Sequence, residues 1–292
     1  MRVIRTIAEM QAICRTVHRE DKTIGLVPTM GALHAGHLSL VRSARSQNDA
    51  VVVSIFVNPK QFGPNEDFGK YPRNFEQDCA MLDQTGVDFV FAPSAEEMYP
   101  EGGTTYVHVE GVSEKLDGRS RPGHFKGVTT VVAKLFHIIP ADHAYFGQKD
   151  AAQVAVLRKM VRDQNFDIEL VVCPIVREKD GLAMSSRNAY LNEAERKQAL
   201  VLHRALLRIQ TLADTGESNA ATLAQVGREV IAEEPAAKLD YLEIVDSDTL
   251  DPIADIGKGA LVAVAASIGS TRLIDNLVLH GAGSARGPQT SN

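Results

Sequence analysis

A repeated alternation of short β-branched runs with helical segments, extending to about residue 175, most constrains the fold of this 292-residue chain. The strand-like runs lie at 23–27, 49–56, 87–92, 143–147 and 166–173, and the helical segments at 37–47, 74–86, 127–139 and 151–164. Such alternation is typical of βαβ units in a parallel sheet. We therefore predict an α/β fold with a parallel-sheet domain over residues 1–175, and we expect ligands at the carboxyl ends of its strands.

The pattern changes after residue 175. Two helical segments, 192–214 and 218–234, precede strand-like runs near 238–246, 259–267 and 271–279. This order predicts a smaller α+β domain over residues 176–281, whose first helix begins at a capping box of Asn192 and Glu195. The Gly- and Ser-rich end, residues 282–292, is predicted to be disordered.

Composition favours a small-molecule substrate. A net charge of -6 and the absence of Trp argue against a nucleic-acid partner. No apolar run approaches the roughly 20 residues of a membrane span, and the start of the chain predicts an amphipathic helix capped by Thr6 with Glu9 rather than a signal peptide. We therefore expect a cytoplasmic protein without a membrane partner. The cysteines, Cys14, Cys79 and Cys173, are too scattered to indicate disulfides or a metal site and are expected to be packed.

The segment TMGALHAGH, residues 29–37, leaves the first strand-like run and places His34 and His37 near the start of the next helix. A helix N-terminus attracts anions, imidazoles donate further hydrogen bonds to them, and Gly31 and Gly36 permit a close approach of backbone and ligand. Two alternatives stay open from these residues alone: ordinary loop histidines, or a zinc pair. The zinc pair lacks an HExxH pattern or a nearby third ligand.

Five blocks in order carry a family resemblance: LVPTMGALHAGHLSLV at 26–41, followed by matching blocks at 56–73, 121–136, 145–153 and 184–188. The first resembles the HIGH-type phosphate-binding motif of the nucleotidyltransferase superfamily. Together the five resemble the pantothenate synthetase family across nearly the whole chain. The resemblance implies that the parallel sheet is a Rossmann-like nucleotide-binding domain and that the smaller C-terminal α+β domain acts as a lid.

The implied activity is an ATP-dependent ligation of (R)-pantoate with β-alanine, giving pantothenate, AMP and pyrophosphate through a pantoyl adenylate. The resemblance further implies Mg²⁺ accompanying ATP, and a homodimer. Two rival functions stay open at this point. One is nucleotidyl transfer or tRNA aminoacylation by the same first motif, although a synthetase ordinarily carries a large tRNA-binding region. The other is a noncatalytic ATP-binding or sensing module.

By the same resemblance, ATP is bound mainly by the loop after the first strand and by residues near Lys149 and Arg187. The implied ATP-binding residues are Pro28, Thr29, Met30, His34, Gly36, His37, Gly147, Lys149, Asp150, Val176, Met184, Ser185, Ser186 and Arg187. The implied catalytic residues among them are His34, His37, Lys149, Ser185, Ser186 and Arg187. The segment MSSRN is similar in role to the mobile KMSKS loop of the superfamily and is expected to close over ATP.

Pantoate is expected to bind to the amides of Gln61 and Gln153 beside apolar walls. Met30, Phe62 and Val131 are the expected wall residues, and Asn58, Tyr71, Arg121 and His124 are further expected substrate contacts from the matching blocks. Arg121 is expected to bind either the carboxylate of β-alanine or a phosphate. For the metal we predict Asp78, since the family form with two acids on this helix is reduced here to Gln77 and Asp78.

Overall fold

The computed structural model describes residues 1–64 and 66–281 of the chain. Contacts between Cα atoms divide the chain into two compact units: Met1–Val176 with Met184–Ser186, and Arg177–Ala183 with Arg187–Asn292. The segment 184–186, which the sequence analysis assigned to the second domain, is thus part of the first unit. The predicted domain limits stay predictions, and the tail predicted to be disordered, 282–292, lies outside the described residues.

The first unit is built on six parallel strands. These strands are β1 (Arg2–Ile4), β2 (Ile24–Thr29), β3 (Ala50–Ile55), β4 (Phe89–Phe91), β5 (His143–Gly147) and β6 (Glu169–Cys173). Their order in the sheet is β1-β4-β3-β2-β5-β6. Its helices are α1 (Ile7–Arg19), α2 (Ala35–Gln47), α3 (Phe75–Asp83), α4 (Ala95–Met98), α5 (Asp117–Ser120), α6 (His124–Ile138) and α7 (Ala151–Asp163). The predicted α/β fold class is confirmed.

The strand β1 is an element that the sequence analysis did not predict. Its three residues precede α1, which begins after Thr6 as predicted, with the Thr6 side chain accepting a hydrogen bond from the Glu9 amide. Pairing of β1 with β4 joins segments nearly ninety residues apart, with Arg2 opposite Phe89. A pairing of this kind leaves no local pattern in three residues.

Apolar side chains from both sides of the strands form the core of the first unit. Val27, Val51, Val53 and Val90 are fully buried and pack against Val41 of α2. Cys14 and Cys173 are also buried, Cys79 is half-buried, and all three thiols are free, as the sequence predicted. Among the described residues, no helix has the length and apolar character that a membrane crossing requires.

The second unit contains α8 (Glu193–Ala199), α9 (Val201–Asp214), α10 (Ala220–Ala232) and an antiparallel sheet of β7 (Ala237–Val245), β8 (Ala260–Ile268) and β9 (Thr271–Leu279). The capping box of Asn192 and Glu195 is confirmed. The single helix predicted over 192–214 was wrong, because the chain breaks at Leu200 into α8 and α9. There the amide of Leu200 donates to the carbonyl of Lys197, three residues earlier in the chain, whereas an α-helix pairs residues four apart.

Candidate active site

The parallel sheet reverses its winding at β2, and this reversal places two chain segments side by side. β3 pairs with one edge of β2 and β5 pairs with the other, with Gly25 opposite His143 and Leu26 opposite Ala144. The loops after β2 and β5 therefore diverge from neighbouring carboxyl ends and flank a crevice, which is where open α/β sheets bind ligands. The predicted residues His34, His37 and Lys149 all lie on these two loops or at the start of the following helix.

A buried carboxylate holds the loop after β2 in place. Asp78 of α3 is 2% exposed, and its two oxygens accept hydrogen bonds from the amides of Ala32 at 2.9 Å and Leu33 at 2.8 Å. Gly31 and Ala32 have positive φ angles of 81° and 51°, and a Cβ on Gly31 would lie 2.9 Å from Asp78 Oδ2. Asp78 thus fixes a strained turn that leads into α2, while the prediction that it binds magnesium stays a prediction.

His34 and His37 cap α2 reciprocally. His34 is the N-cap residue, and its Nδ1 accepts a hydrogen bond from the Gly36 amide at 3.2 Å. His37 Nδ1 accepts from the His34 amide at 3.4 Å, and the two ring centroids are 4.1 Å apart. Because each Nδ1 is an acceptor, the proton of each neutral ring resides on Nε2. The cap therefore selects the tautomer in which both rings have an Nε2–H donor.

The surroundings of His37 favour its uncharged ring. Burial first, and then the nearby His34 ring, lower the pKa of His37 from 6.5 to about 3; the charge of Asp150 opposes this shift and that of Lys149 adds to it. Asp150 and Lys149 thus act electrostatically on His37, which brings residues from the β2 and β5 loops into one site. At neutral pH His37 is a hydrogen-bond donor without a positive charge.

Lys149 and Asp150 lie in a 3-10 turn, Gln148–Asp150, between β5 and α7. The Lys149 ammonium is 3.3 Å from Asp150 Oδ1, and its side chain is 21% exposed. The lysine thus provides a positive charge at the crevice, close enough to act on the neutral ring of His37.

Gly147, the last residue of β5, is a glycine that the fold itself does not require. Its φ of -82° and ψ of 134° suit any residue, and a Cβ there would meet no atom within 4 Å. In contrast, a Cβ on Gly36 would lie 2.9 Å from His34 Cε1, so the histidine cap itself requires that glycine. A Cβ on Gly36 would also lie 3.8 Å from the Cβ of Met184, so the two residues are neighbours.

Three of the residues predicted to contact the substrates lie together near the end of β2. Gln61 Nε2 lies 3.2 Å from Met30 Sδ, and Gln61 Oε1 accepts from Asn58 Nδ2 at 3.0 Å. Val131 of α6 is buried, while Phe62 and Gln153 are half-buried, Gln153 in the first turn of α7. Met30, Gln61 and Asn58 are therefore joined in one cluster.

Arg121 and His124 form a cluster with an acid that the sequence analysis did not identify. The Arg121 guanidinium donates to both carboxylate oxygens of Glu66, at 2.6 and 2.7 Å, and to His124 Nε2 at 2.9 Å. His124 Nδ1 donates to the Gln61 carbonyl at 2.8 Å. Burial alone would raise the pKa of Glu66, but the hydrogen bonds and the charge of Arg121 lower it to about 2. Burial and then the Arg121 charge lower the pKa of His124 to about 4.

This pairing changes what Arg121 can offer a ligand. Its guanidinium already forks onto a carboxylate, so binding a substrate anion requires sharing or replacing Glu66. The signal for Glu66 was available, since the acid lies inside the matched block 56–73. No sequence pattern indicated the pairing of Glu66 with Arg121, 55 positions away.

The segment MSSRN is divided between the two units. The Met184 amide donates to the Val176 carbonyl at 3.0 Å, and the hydroxyls of Ser186 and Tyr71 are 3.2 Å apart. Ser185 is half-buried in the first unit, whereas Arg187 belongs to the second. Ser185, Ser186 and Met184 are thus placed with the β2 loop residues, and the predicted role of Arg187 stays a prediction.

No protein cage for a metal ion is evident among residues 1–64 and 66–281: no group of three or more His, Cys, Asp or Glu side chains is arranged to hold one. The zinc pair that the HxxH spacing left open therefore finds no third ligand in the described part of the chain. A zinc site normally has at least three protein ligands.

A family model, curated relatives and solved structures each include matches to the same family. A family model described as pantoate–β-alanine ligase matches residues 2–278. A pantothenate synthetase of Koribacter versatilis is 80% identical over 291 residues, covering 100% of both chains. The crystal structure of pantothenate synthetase from Thermus thermophilus has a TM-score of 0.90 and 50% identity, covering 95% of this chain and 99% of that one. A pantoate–β-alanine ligase from Francisella tularensis, complexed with β-γ ATP and β-alanine, has a TM-score of 0.78 and 35% identity, covering 95% and 97%.

Replacing Asp78 by Asn is expected to destabilise the first unit. An amide has one acceptor oxygen, so either Ala32 or Leu33 would lose its partner and face an NH₂ group, at a cost of about 1–3 kcal/mol. We expect this loss in the free energy of unfolding by urea denaturation. Glu76→Gln is the matched control, because Glu76 is an exposed acid on the same helix. Equal stabilities of the two variants would contradict a holding role for Asp78.

The histidine tautomers are open to direct test by ¹⁵N NMR. We expect the Nε2–H form for His34 and His37 at pH 7, with the His37 resonance assigned by its disappearance in His37→Gln. Since the pKa of His37 is lowered from 6.5 to about 3, the unfolded chain binds a proton more readily than the folded chain between these values. The contribution of His37 to stability should therefore be constant above pH 6.5 and decrease as the pH falls below it. Titration of His37 near pH 6.5 would be incompatible with the buried neutral ring.

Proposed function

The chain belongs to the pantoate–β-alanine ligase family, whose members are ATP-dependent ligases of pantothenate biosynthesis, and we propose that it joins its substrates in two steps through a pantoyl adenylate. In the first step a carboxylate oxygen of (R)-pantoate attacks the α-phosphorus of ATP, forming an O–P bond and expelling pyrophosphate. In the second, the amine of β-alanine attacks the activated acyl carbon. The C–N bond forms, the amine loses a proton and AMP departs.

The observation that carries this proposal is the pair of imidazoles in the helix cap, with the His37 ring neutral, close to Lys149 at the reversal point of the sheet. Phosphoryl oxygens gain negative charge as pyrophosphate leaves, so the site needs donors and a cation. His34 and His37 present Nε2–H donors, His37 without the charge of an imidazolium, and Lys149 supplies the ammonium. No base is needed in the first step, because a carboxylic acid is already ionised at neutral pH.

ATP is proposed to lie along the loops after β2 and β5, in contact with residues from Pro28 to His37 and from Gly147 to Asp150. The neighbourhood of Gly36 and Met184 supports including Val176, Met184, Ser185 and Ser186 among the ATP contacts. In this scheme Arg187 and the serine hydroxyls bind the β- and γ-phosphates, with the guanidinium adding forked hydrogen bonds.

Pantoate is proposed to bind at Gln61, Gln153 and Met30, with Phe62 and Val131 as apolar walls. The Gln61 amide supports this, because its present partner for Nε2 is the weakly accepting sulfur of Met30. A substrate carboxylate or hydroxyl oxygen would accept that hydrogen bond more strongly. Tyr71, Arg121 and His124 belong to the matched sequence blocks and remain proposed contacts for the substrates.

Magnesium is proposed to enter with ATP, held mainly by phosphate oxygens and water, as is usual for this ion. The donor set fits that arrangement better than a protein cage, since Asp78 already binds two amides and Asp150 is 3.3 Å from Lys149. Bound there, the ion would neutralise phosphate charge. We also propose, from the family resemblance, a homodimer and a cytoplasmic location.

The two-step reaction is tested by measuring AMP and pyrophosphate from ATP and Mg²⁺ with (R)-pantoate alone and then with β-alanine, with pantothenate identified by mass. We expect sustained AMP release only with both substrates, and pantoate-dependent exchange of pyrophosphate into ATP without β-alanine. His34→Ala and Lys149→Ala should each lower the exchange rate by about a hundredfold or more. ATP binding without turnover would instead indicate a sensing module, and near-normal exchange in either variant would remove that residue from the mechanism.

The variant Gly147→Ala distinguishes a contact with ATP from an effect on folding. Because the backbone angles suit alanine and the protein leaves space for its Cβ, the thermal midpoint should match that of the unsubstituted protein within about 2 °C. If ATP lies against Gly147, the added methyl group should raise the KM for ATP about tenfold or more, as overpacking in a tight contact does. An unchanged KM for ATP would place the nucleotide elsewhere.

A further inference from the structure

The side-chain amide of Asn58 is saturated by the protein. Asn58 is 1% exposed. Its Nδ2 donates to the Gly127 carbonyl at 3.1 Å and to Gln61 Oε1 at 3.0 Å. Its Oδ1 accepts from the Lys60 amide at 3.3 Å and from the Tyr99 hydroxyl at 2.8 Å. Two donors and two acceptor lone pairs are the full capacity of an amide, so Asn58 acts on the site through its neighbours.

Two backbone groups determine the direction of every hydrogen bond in this cluster. The Gly127 carbonyl only accepts, so the Asn58 atom facing it is the NH₂ group. The Lys60 amide only donates, so the atom facing it is the oxygen. It follows that Tyr99 donates its hydroxyl proton to Asn58 and that Gln61 meets Asn58 with its carbonyl oxygen.

Gln61 is thereby left with one orientation. With its Oε1 bound to Asn58, its NH₂ group points to Met30 Sδ at 3.2 Å. A reversed amide would place two NH₂ groups against each other. The donor face of Gln61 is therefore directed by Asn58 toward Met30, the last residue before the Gly31 turn.

Tyr99 holds the outer end of this chain of hydrogen bonds. It follows α4 as the residue at its C-terminal cap, and its ring lies 4.8 Å from Lys60 Nζ and 6.1 Å from the Phe56 ring. Burial first, and then Tyr106, raise the pKa of its phenol, so Tyr99 remains a proton donor across the physiological range. The residue lies outside all five matched blocks, and none of the sequence patterns indicated it.

We propose that Tyr99 is a positioning residue for pantoate: its hydroxyl completes the hydrogen bonds that hold the amide of Asn58 in place, and Asn58 directs the NH₂ group of Gln61 toward the substrate. This inference rests on the proposed contact between Gln61 and pantoate. Tyr99 itself touches neither the histidines nor the substrate in this scheme.

Tyr99→Phe removes the outer hydrogen bond and keeps the ring. The Asn58 oxygen then retains only the long hydrogen bond from the Lys60 amide, at 3.3 Å, so the side chain that positions Gln61 is held less firmly. We expect the KM for pantoate to rise about tenfold, with kcat and the KM for ATP within twofold, because the lost order concerns pantoate binding alone. Tyr106→Phe is the matched control: Tyr106 shares Lys60 with Tyr99, accepting from its ammonium at 3.0 Å, and makes no hydrogen bond to Asn58 that the structure records.

Two results would overturn the proposal: a KM for pantoate within twofold of the unsubstituted protein, or equal changes for pantoate and ATP in Tyr99→Phe. Failure of the unsubstituted protein to make pantothenate would instead contradict the proposed function, so the two failures are distinguishable. A double-mutant cycle tests the route, with pantoate affinity measured by calorimetry rather than turnover. If Tyr99 acts through Gln61, adding Tyr99→Phe to Gln61→Met should change affinity less than twofold. A tenfold loss in both backgrounds would exclude action through Gln61.

Discussion

The carboxylate of Asp78 is the interaction on which the rest of the site depends. Its oxygens hold the amides of Ala32 and Leu33, in a turn whose positive φ angles carry a conformational cost. That turn brings His34 to the N-cap of α2, where the reciprocal histidine cap begins. Because the buried carboxylate of Asp78 accepts from two amides of the loop, α3 acts as a support for the β2 loop, and the position of both imidazoles follows from it.

In the proposed mechanism, the histidine cap meets an electrostatic requirement of adenylate formation. An imidazolium pair would bind phosphates strongly in the ground state and repel the Lys149 ammonium. Nδ1 atoms that accept from the backbone, together with burial, keep His37 neutral and direct its proton to Nε2. The positive charge is then concentrated on Lys149, beside Asp150. Neutral donors and one cation stabilise charge that develops during reaction without increasing ground-state binding to the same extent.

The sequence predicts what local patterns encode. The longer strands are found by their β-branched runs, and the βαβ order places His34, His37 and Lys149 on the loops that the sheet topology brings together. It misses β1, which depends on a distant partner, and the break at Leu200, where apolar periodicity continues from α8 into α9. At the site, the role of Asp78 as a metal ligand stays a prediction, and its hydrogen bonds to backbone amides 45 and 46 positions away were not predicted. Partners of this kind leave no pattern of residue types.

A polar residue can bind a ligand only with hydrogen-bond donors and acceptors that protein groups do not already occupy. Asn58 has both its donors and both its acceptor lone pairs bound by protein groups, and Arg121 forks onto Glu66. Asn58 was expected to contact the substrate, yet all its hydrogen bonds are to protein groups, and an anion that binds Arg121 must share its guanidinium with Glu66 or replace Glu66. In contrast, the side-chain oxygen of Gln61 accepts from Asn58, and its NH₂ group points to the thioether sulfur of Met30. Since sulfur accepts weakly, that donor gains most from an oxygen ligand, and the saturated amide behind it determines where the ligand must be.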